Sequence, residues 1–204
     1  MMSEFLEPFG RMLEDVATPA AVRAIEQGGS ADVMWGALAE SGFLDALVPE
    51  ERGGAGLSLA EVHPLWMALG RHAVPLPVGE TMVVRALLSD VPEGPIALAV
   101  AEGTGVVVPC GLVARHVLVE AGGALHLAAA SGEPTGVPAS LAARIDFGPL
   151  TPSVAPAPAG GLRAVAALLR AALIAGAAER LTAMTAAYAN ERVQFGKPIG
   201  RQQA

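Results

Sequence analysis

The sequence predicts an α+β fold: an N-terminal α-helical domain over residues 1–91, a small, shortened β domain over 92–150, a linker at 151–161, and a long helix within 162–204 that would begin a C-terminal helix bundle. Three observations predict it. Apolar residues recur at three- and four-residue steps through the first ninety positions, the period of a helix face. From Pro92 short apolar runs alternate with glycine, a strand-and-turn pattern. From Leu162 to about Tyr188 there is no proline and much alanine, a composition that favours one continuous helix.

Each element follows in order. Phe5, Leu6, Phe9, Met12, Leu13 and Val16 share one face of a first amphipathic helix. Thr18-Pro19 opens a second, with proline at a natural first position, and Gly28-Gly29 ends it. Ser30 is placed to cap a third helix, which Gly42 closes. Ser58-Leu59-Ala60-Glu61 is a capping box, in which the serine hydroxyl and the glutamate carboxylate satisfy each other's backbone amides. A fourth helix therefore starts there, with Leu65, Trp66 and Leu69 turned inward, and Pro64 should kink it or shift its start. Pro75-Leu76-Pro77 makes an extended connector before a fifth helix, roughly Glu80 to Leu88.

In the β region Ile96 to Val100, Gly105 to Pro109, His116 to Glu120 and Ala124 to Ala128 read as strands of one small sheet ending near Asp146. Gly122-Gly123 between the last two predicts a hairpin, because both residues tolerate positive φ. Thr151 to Gly161 is rich in proline and glycine and reads as a surface linker. The helix beyond it, about 40 Å long at 1.5 Å per residue, carries Leu162, Val165, Leu169, Leu173, Gly176, Met184 and Tyr188 along one face. Leu168, Ile174 and Leu181 make other faces apolar too, so it wants cover on several sides.

Composition narrows the function classes. With 52% hydrophobic and 16% charged residues and a mean hydropathy of +0.48, the chain is too apolar for disorder. Its net charge of −7 argues against a broad nucleic-acid-binding surface. The longest uncharged run, Phe147 to Leu162, is sixteen residues with four prolines, short of a membrane span. Glu4 and Glu7 stand where a signal peptide would be basic, so a cytoplasmic location is expected. Cys110 is the only cysteine, which excludes an internal disulfide and favours a buried structural thiol. His63, His72, His116 and His126 show no metal-ligand spacing, and no metal site is predicted.

Two segments carry a resemblance. Gly42 to Val62 (GFLDALVPEERGGAGLSLAEV) with Leu69 to Pro77 (LGRHAVPLP), and Asn190 to Ala204 (NERVQFGKPIGRQQA), resemble the acyl-CoA dehydrogenase family. The first is similar to its helical first domain, the second to the signature closing the long helix of its last domain. The resemblance implies FAD as cofactor, an acyl-CoA thioester as substrate and α,β-dehydrogenation. It also implies an electron-transfer flavoprotein as acceptor, and a homo- or hetero-oligomer in which subunits share the flavin. By spacing Arg192 and Gln203 match the family's flavin contacts, with Gln194 and Phe195 beside them. A guanidinium fork suits a pyrophosphate. Taken singly, Arg192 is equally a cation answering the helix dipole, and Gly196 a helix C-cap.

The resemblance is incomplete in the centre. The middle region is shorter than the family's and lacks its Thr-Glu-x-Gly-x-Gly-Ser-Asp loop, of which Ala99 to Gly105 keeps a glutamate and two glycines. No catalytic glutamate is assigned. Some members carry the base on the long helix, and the matching position, twenty-six residues before Arg192, is Ala166. Glu179 reads as a solvated or paired helix charge. The readings are thus a truncated acyl-CoA dehydrogenase-like oxidoreductase, a non-catalytic subunit completing a partner's FAD site, or a helical interaction module without flavin.

Overall fold

The computed structural model describes residues 2–103, 105–150 and 152–201, which form an α+β fold. The N-terminal helices are α1 (Met2–Val16), α2 (Pro19–Glu26), α3 (Asp32–Glu40), α4 (Leu59–Arg71) and α5 (Val78–Leu87). Phe9 and Leu13 of α1 are fully buried against the core that holds Leu65, Trp66 and Leu69 of α4, and the rings of Phe9 and Phe43 lie 4.7 Å apart. Thr18 caps α2, its side chain accepting from the Ala21 amide at 3.2 Å. The expected Ser30 cap is displaced by one residue. Ser30 Oγ accepts from Asp32 N at 3.1 Å, but the N-cap of α3 is Ala31. The capping box at Ser58 forms in full. Pro64 does not move the start of α4, which begins at Leu59 where the box sets it and runs on through the proline.

Between α3 and α4 the glycine-rich stretch is a clasp rather than a slack turn. Gly53 and Gly56 adopt positive φ, and a Cβ on Gly54 would overlap the Val48 carbonyl oxygen. This tight path delivers Arg52 to the end of α5, where it donates to the carbonyls of Leu88 at 2.9 Å and Ala86 at 2.5 Å. Arg85 of α5 returns to both oxygens of Asp45 at 2.9 Å. Helix α5 starts two residues before the expected Glu80, because the Pro77 carbonyl already accepts from the amide and hydroxyl of Thr81. The same hydroxyl takes the Ile96 amide at 3.0 Å, joining α5 to the first strand.

The strands are β1 (Ile96–Val100), β2 (Val106–Val108), β3 (His116–Ala121), β4 (Ala124–Ala129), β5 (Glu133–Pro134), β6 (Ala143–Ile145) and β7 (Ala155–Pro156). They form two sheets, β1-β3-β4-β7 and β2-β6-β5, where one was expected. The reason is that β3 lies beside β1 in parallel register, Leu98 opposite Leu118, which displaces β2 to pair with β6. Side-chain alternation then serves two cores. Leu98, Leu118 and Leu125 join the helices, while Ala97, Ala99, Val117 and Val119 face Val108, Ala143 and Ile145. The β3–β4 hairpin turns at Gly122 and Gly123, both at positive φ, as the sequence predicts. Ala155–Pro156, inside the expected linker, pairs with β4.

The long helix α6 spans Gly161–Glu191, about 46 Å at 1.5 Å per residue. Its start is tied to the sheet by Glu120, which accepts from the Leu162 amide at 2.5 Å. Its first half crosses α4 in backbone contact. A Cβ on Gly70 would overlap the Leu173 carbonyl, and one on Gly176 would overlap the Met67 carbonyl. Beyond that crossing α6 leaves the core: Leu181, Met184 and Tyr188 are more than half exposed. By length and composition alone α6, whose most apolar 18-residue window has a mean hydropathy of 1.6, could cross a membrane. Its arginines are spaced widely enough to leave that window apolar, although no uncharged run of spanning length occurs there.

Candidate functional site

Two places on α6 gather the residues of interest. The first is its C-terminal tip. The helix ends on Arg192, whose amide donates to the Tyr188 carbonyl. A short hairpin follows, β8 (Val193–Gln194) against β9 (Lys197–Pro198). Phe195 and Gly196 make its turn, both at positive φ. Gly196 is therefore not the helix C-cap; it supplies the turn four residues past the cap. Phe195, a bulky residue in a backbone region that favours glycine, is 93% exposed. Arg192 lies over the Tyr188 ring, 5.7 Å from its centroid, and donates to the Tyr188 hydroxyl at 2.7 Å. Arg192, Gln194 and Phe195 thus share one exposed tip. Gln203 lies outside the described residues.

The chemistry of this tip suits one wall of a flavin site. A guanidinium with unused donors matches a pyrophosphate, and an exposed ring offers apolar cover beside it.

The second place is a cleft of about 360 Å³ between α6 and strands β1 and β2. Leu98, Val100, Val106 and Val107 line one side, and Ala166 lies on the other with Arg163 and Arg170. Ala166 carries no ionisable group, so the wall where a base could sit presents a methyl. Behind it Arg170 donates to Glu80 Oε1 at 2.6 Å. Glu80 is 2% exposed. Burial pushes its carboxyl above the usual glutamate range, and the Arg170 charge opposes that shift. Burial also pushes the Cys110 thiol up to about 12, with the charge of Glu80 adding to it, so this thiol is inert. Cys110 is partly rather than fully buried by exposure.

Other candidates have structural roles. Glu179 pairs with Arg71 at 3.1 Å, both about half exposed. Ser58 is occupied in its capping box. Among the described residues no three His, Cys, Asp or Glu side chains cluster as a metal site. Sequence reasoning missed Glu80, Arg163 and Arg170. The spacing of Arg163, Ala166, Ala167 and Arg170, one helix face at i, i+3, i+4 and i+7, was the signal that could have found the cleft wall.

Comparison with known proteins gives the family and the fold. A family profile described as the acyl-CoA dehydrogenase N-terminal domain matches residues 3–90. The chain is 36% identical to acyl-CoA dehydrogenase IpdE2 of Mycobacterium tuberculosis over 92% of its own length. It is 35% identical to the IpdE2 of Mycolicibacterium smegmatis over 97%. It spans 63% and 67% of those two relatives. Among solved structures a variant of the Tcur3481-Tcur3483 steroid ACAD superposes with a TM-score of 0.71 at 27% identity, covering 99% of this chain and 71% of that one.

Proposed function

The chain belongs to the acyl-CoA dehydrogenase family, and from that premise we propose that it serves α,β-dehydrogenation of an acyl-CoA thioester as a subunit that completes the FAD site of a neighbour. The observation that carries this reading is the placement of Arg192, Gln194 and Phe195. They stand together on an exposed hairpin at the far end of α6, about 39 Å along the helix from Ala166. A group held by this chain's own cleft is beyond their reach, whereas a neighbouring subunit's cofactor is not.

FAD, when bound, accepts the hydride. This chain's part is to bind and orient: Arg192 toward the pyrophosphate, Phe195 as apolar cover, Gln194 and Gln203 as polar contacts. The cleft wall offers Ala166, so the proton-abstracting carboxylate does not come from that position of the long helix. An electron-transfer flavoprotein is the proposed acceptor and the cytoplasm the proposed location. The name of the Tcur3481-Tcur3483 steroid ACAD pairs two gene products, which supports a heteromeric arrangement here.

Co-expression with a second dehydrogenase subunit tests the reading through the visible absorbance of the purified complex. Arg192→Ala is expected to lower flavin retention about tenfold or more, the scale of one lost charge-assisted contact, with Arg192→Lys in between. Unchanged flavin content in both variants would refute it. A chain that binds flavin and is reduced by acyl-CoA on its own would favour an autonomous enzyme. A complex without flavin would favour an interaction module, which the exposed apolar half of α6 also supports.

A further inference from the structure

The cleft beside Ala166 has a composition that suits a particular ligand. Its floor on α6 is two alanine methyls, Ala166 and Ala167, with Arg163 and Arg170 at either end about 10 Å apart along the helix axis. Its facing wall is Leu98, Val100, Val106 and Val107. The two guanidinium groups are held differently. Arg170 is fixed from behind by Glu80, which is sealed from solvent and takes one of its donors at 2.6 Å. Among the described residues Glu80 is its one hydrogen-bond partner, and its side chain stays 36% exposed, so the remaining donors of the fork are left for the cleft. Arg163 pairs with Glu102 at 2.6 Å, both about two-thirds exposed or more. A surface pair of that kind is exchanged at little cost.

We propose that this cleft binds an apolar acid, a ring or branched alkyl body seated on the alanines and valines with a carboxylate held by Arg170. The inference deepens the reading above by assigning the cleft a class of acyl body, one ending in an acid. Its test uses no flavin, so the two fail separately. With Ala166 on the wall the cleft orients this end of the molecule and performs no proton transfer.

Adamantane-1-carboxylate and adamantan-1-amine carry the same cage with opposite charge, and the cage fits the cleft volume. Titrated into the purified chain and followed by calorimetry and by amide shifts, the carboxylate is expected to bind about tenfold or more tightly than the amine. Its shifts should map to residues 98–100, 106–107 and 163–170. Arg170→Lys, which keeps the charge and loses the fork, is expected to weaken the carboxylate severalfold. Ala167→Leu, at an exposed helix position, should fill the floor and abolish binding while leaving the thermal midpoint unchanged. Equal binding of both probes, no binding of the carboxylate, or full binding by a folded Ala167→Leu chain would overturn the proposal.

Discussion

Glu80 is the residue whose surroundings are least forgiving. It is buried to 2% exposure and meets a single guanidinium, and a buried ion pair costs much of what its attraction returns. Because burial raises its pKa, the folded chain binds this proton more tightly than the unfolded chain does. Its contribution is therefore fully present below the ordinary carboxylate pKa and is lost as pH rises through the raised value. Glu80→Gln cannot titrate. Urea midpoints measured from acid to neutral pH should show the wild type losing stability relative to Glu80→Gln as pH rises, and parallel profiles would contradict the assignment. The pairing of Glu80 with Arg170 was not legible in the sequence. They are ninety residues apart, and an isolated glutamate near a helix start reads as an ordinary first-turn charge.

At the scale of elements, the α4–α6 crossing sets the architecture. Gly70 and Gly176 each face a carbonyl of the other helix with no room for a methyl. Glycine to alanine inside a helix ordinarily gains about 0.5–1 kcal/mol. Here the sign should reverse. Gly70→Ala and Gly176→Ala are each expected to cost about 3 kcal/mol, the upper range for overpacking a tight core, as read from denaturant unfolding. The local devices were visible in advance: the Ser58 capping box, the Gly122-Gly123 hairpin and the proline-free helix all form. What local pattern did not carry was partner choice. Strand β1 pairs with β3 over β2, and two residues of the expected linker complete a sheet edge, choices made by burial of two faces rather than by any dipeptide. The Arg192 segment was readable as a motif, but its hairpin and the positive φ of Phe195 were not.

On the scale of the whole molecule, α6 divides into a half inside the core and a half outside it. Leu181 at 66% exposure and Met184 at 56% leave an apolar surface that a partner is expected to cover. Leu181→Glu with Met184→Glu should abolish concentration-dependent association in sedimentation and capture by a second dehydrogenase subunit. The unfolding midpoint should move little, because exposed substitutions typically change stability by about 0.5 kcal/mol or less.

The same division makes α6 a lever. Its fulcrum is the glycine crossing at Gly176, and the arm from there to Arg192 is sixteen residues, about 24 Å. A tilt of about five degrees at the fulcrum swings the tip by about 2 Å, a displacement on the scale at which oriented chemistry is lost. The aim of Arg192 is then governed less by its own neighbours than by whatever grips the outer half of the helix, and a partner that clamps Leu181 and Met184 also steers the guanidinium.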